Sequence, residues 1–79
     1  MTSYSKKLQA AMAAQYHSPY RAAAEIGVTS TSVYRWLDGD KPTITSRQKV
    51  DHYIRDAKLR HPERYKSELK REENDENDS

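Results

Sequence analysis

Gly27 sits in the middle of SPYRAAAEIGVTSTSVYRWLDGDKP, residues 18–42, and parts one helix-forming stretch from a second that opens on four hydroxyl residues. Ser18 suits a helix N-cap, and Pro19 suits the first helical position, where a missing N–H costs nothing. Small and apolar residues then recur at helical spacing as far as Ile26. Glycine readily takes the left-handed conformation that ends helices. Thr29 can cap the next helix, whose buried face is Val33, Trp36 and Leu37. Gly39 terminates that helix, and Pro42 blocks an immediate restart. Two short helices joined by a tight glycine turn make a helix-turn-helix. Ala23 falls where the two helices come closest, so a bulky side chain there would separate them. Val28 plugs the corner, while Ile26, Val33 and Trp36 point into a core shared with the flanking segments. Ser30, Thr31, Tyr34 and Arg35 are left on the outside, and each can make hydrogen bonds.

The flanks read as helices too. Over residues 5–16, Leu8, Met12 and Tyr16 share one helical face with Ala11 beside them, and Ser3 or Ser5 can cap it. After the loop, residues 45–48 (TSRQ) fit the capping-box template, which predicts a helix starting there with Val50, Tyr53, Ile54 and Ala57 on its inner face. Pro62 ends or kinks that helix. PERYKSELKREE, residues 62–73, is expected to resume as a short fifth helix with Tyr65 and Leu69 on one side. No alternation long enough for a strand survives anywhere. The expectation is an all-α protein: a small bundle of four to five helices containing a helix-turn-helix over residues 1–71, with a disordered acidic C-terminal tail over 72–79.

At 79 residues, 34% of them hydrophobic, the chain can build one modest core but no large cofactor cavity. It has no cysteine, which excludes disulfides and thiolate metal sites. The three histidines, His17, His52 and His61, lack the spacing of a metal site, and there is no glycine-rich phosphate loop. His52 beside Asp51 reads as a surface residue rather than a general base. Catalysis, a cofactor, a bound metal and a small-molecule ligand are therefore not expected. No apolar run approaches a membrane span or a signal peptide, which predicts a cytoplasmic protein. The net charge of +2 hides an asymmetry: residues 1–66 carry +6 and residues 67–79 carry −4. A basic body suits a polyanion partner, although charge excess also serves solubility alone.

RAAAEIGVTSTSVYRWLDG resembles the helix-turn-helix of the phage Cro/CI-type (XRE-like) repressors and of the small bacterial regulators that share that domain. The likeness covers residues 18–42; the flanking helices agree in type and order without a specific motif. It implies a double-stranded DNA-binding transcription regulator, most simply a repressor, in the bacterial cytoplasm and on the nucleoid when bound. The helix that starts near Ser30 would enter the major groove. Ser30, Thr31, Tyr34 and Arg35 are then the candidates for base contact. Arg35 can donate twice to a guanine edge, and Thr31 can offer its methyl to thymine. Each has a plainer reading: an ion pair to Asp38 for Arg35, helix capping for Ser30, a half-buried rim aromatic for Tyr34. Backbone contacts would come from Ser18, Tyr20, Arg21, Thr29, Lys41 and Thr43, with helix N-termini adding N–H donors. Where many members carry a Gln at the start of the second helix this chain has Pro19, so Ser18, Tyr20 or Arg21 must supply that phosphate contact.

Two other readings stay open. A winged-helix excision or architectural factor would need strands after Trp36. A protein-binding adaptor on the same scaffold would have little use for base-reading residues at Ser30, Thr31 and Arg35. One helix-turn-helix reads too few base pairs to find a site alone, which predicts a homodimer on an inverted repeat. Tyr53, Ile54, Tyr65 and Leu69 are the candidates for its interface, although a small core could absorb the first two.

Overall fold

The computed structural model of the chain describes residues 4–77, with side chains described as far as Glu73. Its backbone forms five helices: α1 (Tyr4–Ala14), α2 (Pro19–Ile26), α3 (Ser30–Leu37), α4 (Ile44–Arg60) and α5 (Pro62–Asn77). No strand occurs among the described residues. The all-α bundle expected from the sequence is the fold. α1 packs most extensively against α5, α2 pairs with α3, and α4 supports α1, α2 and α5.

Alanine builds much of the interior. α1 buries Ala10, Ala11 and Ala14 beside Leu8 and Met12, and α2 buries Ala22 and Ala23 beside Ile26. Side chains this small let helix axes approach closely, and the larger residues Leu8, Val33 and Val50 fill what remains without any exposure. Trp36 closes the core from α3 at 6% exposure. Its truncation to alanine would cost about 3–5 kcal/mol, which is comparable with the whole stability of a domain this size. α1 is tied to the helix-turn-helix by Ser5, whose Oγ donates to the Leu37 carbonyl at 2.8 Å.

The caps explain why α2 and α3 stop and start where they do. Ser18 and Thr29 lie in extended backbone and accept from Arg21 N and Ser32 N through their hydroxyls. α1, α2 and α3 end alike: an N–H reaches back five residues, from His17 to Met12, from Val28 to Ala23 and from Asp40 to Arg35. That closure places one residue in the left-handed region, and the three are Tyr16, Gly27 and Gly39.

Four expectations need correction. Tyr16 does not continue the buried face of α1: it sits at φ 57 with 80% of its surface exposed, because the helix has already closed behind it. α4 starts at Ile44 rather than within a capping box at Thr45, since Thr43 has the extended backbone of an N-cap and its hydroxyl accepts from Ser46 N. The fifth helix, expected to be short over residues 62–73, runs on to Asn77, and Glu72 pairs with Lys6 at 3.9 Å; residues 78 and 79 of the expected acidic tail lie outside the described residues. Finally, of the candidates for a dimer surface, Tyr53 and Ile54 go into the core as the sequence allowed, but Tyr65 is buried with them and Leu69 packs against the cluster half-buried.

Candidate nucleic-acid interface

α2 presents its N-terminal end beside the outer face of α3, held there by the Gly27 turn. Gly27 has φ 90, and a Cβ added to it would meet nothing within 4 Å, so the demand for glycine is conformational rather than steric. The turn brings Tyr20 of α2 onto Tyr34 of α3, ring edge to ring face, with centroids 6.1 Å apart at 78°. Both rings are exposed, which makes them the one aromatic pair on this surface.

Arg35 is the centre of the arrangement. It lines two adjoining shallow hollows, one shared with Thr31 and Tyr34 on α3 and the other with Lys41 and Thr43 in the following loop. Four other sequence-predicted contact residues therefore share these hollows with Arg35. Among the described residues neither Arg35 nor Lys41 has a carboxylate partner, so the ion pair with Asp38 that the sequence allowed is absent. Their charges stay available.

The remaining candidates are placed differently. Ser30 is half-buried as the first residue of α3 and lines neither hollow. Thr29 is engaged as a cap, with its hydroxyl 3.3 Å from Ser32 N and 3.0 Å from Ser32 Oγ. Ser18 and Thr43 also cap, to Arg21 N at 3.2 Å and Ser46 N at 3.4 Å. Arg21 is exposed, but its Nε is held by Glu25 at 2.9 Å, which leaves it weaker as a free cation than Lys41.

Sequence reasoning passed over several residues. Ser32 and Ser46 line the second hollow next to Arg35, one from the first turn of α3 and one from the first turn of α4. Nothing local marks them, because a serine in a first turn reads as helix-end chemistry until the loop folds one end against the other. Asp38 and Asp40 bring carboxylates to the same hollows. Asp40 lines both hollows and Asp38 only the one with Thr31 and Tyr34, so the Lys41–Thr43 side is the less acidic approach for a phosphate. Comparison with family models, with curated proteins and with solved structures finds no match to this chain.

Proposed function

We propose that the chain is a sequence-specific double-stranded DNA-binding transcription regulator of the Cro/CI kind, acting as a repressor in the bacterial cytoplasm and reading the major groove with α3. One observation carries the reading: Thr31, Tyr34 and Arg35 share the exposed face of a capped α3, and among the described residues Arg35 is in no ion pair. Arginine reads guanine bidentately, and a free guanidinium pays no cost of breaking an ion pair first. Lys41 and the Tyr20 and Tyr34 hydroxyls stand around it as phosphate contacts, which fix register without reading sequence. The presence of α4 directly after the loop favours this over a winged-helix factor, which would put strands there. Among the described residues no helix is long and apolar enough to cross a membrane.

Dimerisation is part of the proposal on the ground of information alone: each half-site is short, and two in inverted symmetry about one helical turn apart make a usable operator. Selection of bound sites from a random duplex pool tests both parts together. The expected outcome is a short inverted repeat, bound two chains to one duplex by light scattering. No enrichment over the starting pool would overturn the DNA reading. Enrichment of asymmetric sites in one-to-one complexes would overturn the dimer alone.

A further inference from the structure

Two adjoining clefts run along α4 on a side of the molecule that α3 does not reach. The larger, of about 520 Å³, lies between α1, α4 and α5. The smaller, of about 460 Å³, continues it toward Leu59, and Asp51, Ile54 and Lys58 line both. Ile54, Tyr65 and Leu69 give the larger cleft an apolar floor, and Leu59 extends it as an apolar side chain that is 73% exposed. The rim is basic. Lys7, Lys58 and Lys66 come from three different helices, Arg55 stands beside the smaller cleft, and among the described residues none of the four has a carboxylate partner. Among the described residues the one acid on the rim, Asp51, is already paired with Arg47 at 3.9 Å.

We propose that this groove docks an acidic amphipathic helix of a partner protein, one with apolar side chains at i, i+4 and i+7 flanked by Asp and Glu. Length, floor and rim each select for it. From Arg47 to Leu59 the groove follows α4 for about 18 Å, roughly three turns of a docked helix. An apolar helix face supplies affinity in such a groove, and the lysines orient and attract acidic flanks. A small carboxylate ligand needs a site that encloses most of its surface, whereas these clefts are open along their length. Duplex DNA would satisfy the lysines but leave Leu59 and Leu69 facing phosphates. The chain's own acidic end is excluded as the occupant in a second copy, because residues 70–79 contain no apolar side chain. The inference does not depend on what α3 binds.

The test uses the full chain and a fluorescent probe peptide of about 14 residues, helical, with Leu at the stated spacing and Glu on the flanking faces. The peptide should bind at low salt and shift the amide resonances of Lys58, Lys66 and Leu69. A scrambled peptide of the same composition should bind at least about tenfold more weakly, and the Lys58→Glu/Lys66→Glu double variant should lose about tenfold as well. Both lysines are exposed, and a melt matching the parent checks that the double variant folds. Leu59→Ser, at a position that contributes nothing to the core, gives a second variant and should weaken the peptide severalfold while leaving the melt alone. Equal binding of the scrambled peptide, resonance shifts confined to α3, or full affinity in the lysine variant would each overturn the proposal.

Discussion

Arg35 keeps its charge unpaired although Asp38 follows one turn later, and that has a measurable consequence under the proposed DNA reading. Arg35→Ala should lower affinity for a selected operator by about 1–3 kcal/mol and relax preference at one base pair per half-site. Lys41→Ala should instead weaken every duplex alike and make the salt dependence shallower by about one unit of slope. Binding isotherms on selected and random duplexes at several salt concentrations separate the two. A second residue-scale effect concerns stability. Tyr53 Oη lies 2.7 Å from His17 Nδ1. Burial holds the tyrosine in its protonated form and raises its pKa, and its hydroxyl donates to Nδ1 or accepts from it according to the imidazole tautomer. Burial first, and Arg21 second, lower the His17 pKa below its ordinary 6.5. Between the folded and unfolded values the unfolded chain holds more protons. The stability from neutral His17 is therefore complete above pH 6.5 and is lost as pH falls through the folded value. Melts followed from pH 7.5 to about 5.5 should show this loss, and His17→Asn should flatten it. A parent melting temperature that stayed level over that interval would contradict the assignment.

At the scale of single elements, the ends of helices mattered more than their middles. Gly27 and Gly39 were legible because glycine at a helix end has one dominant meaning. Tyr16 was not legible, because a tyrosine at i+8 from Leu8 continues an apolar stripe on paper, and only the closure from His17 to Met12 reveals that the chain has already turned. Thr43 lost to Thr45 in the reading for a related reason. Both lie among hydroxyl residues near a proline, and a template matched at 45–48 says nothing about which threonine has extended backbone. α2, α3 and the inner face of α4 were readable since their spacing and caps agree. The Tyr20–Tyr34 contact and the two serines beside Arg35 were not, because they arise from how two elements meet. Tyr16 offers a test. A left-handed backbone costs a non-glycine residue about 1–2 kcal/mol, and here the Arg64 guanidinium, 4.8 Å over the ring, returns part of that. In an Arg64→Ala background, where that contact is gone, Tyr16→Gly should raise the thermal melting temperature. A fall would mean that the turn carries no strain.

For the whole molecule, the basic body and acidic end remain the clearest statement made by composition, while Tyr65, a candidate for a dimer surface, joined Tyr53 and Ile54 in the core for a reason of scale. A chain this short has few large apolar residues, and its core claims them before any interface can. Charge at the end of the chain acts at a distance. Removing residues 74–79 deletes Asp75, Glu76 and Asp78 but keeps the Lys6–Glu72 pair, so the melt should hardly change while random-duplex binding tightens at low salt. Unchanged random-duplex affinity would remove any screening role from that end.

The packing of α1 on α5 joins the beginning of the described chain to its end, and this fixes an order of events. The alanine and leucine face of α1 cannot be covered until α5 exists, and Ser5 cannot steady the end of α3 until α1 is itself seated. During synthesis the helices proposed to read DNA are thus complete in sequence long before they are firm in structure. A fragment ending at residue 61 should contain every group proposed to touch DNA, yet give a circular dichroism signal with no cooperative melt and bind its operator poorly. α5, which touches no base in the proposed complex, would decide when the proposed reading of DNA can begin.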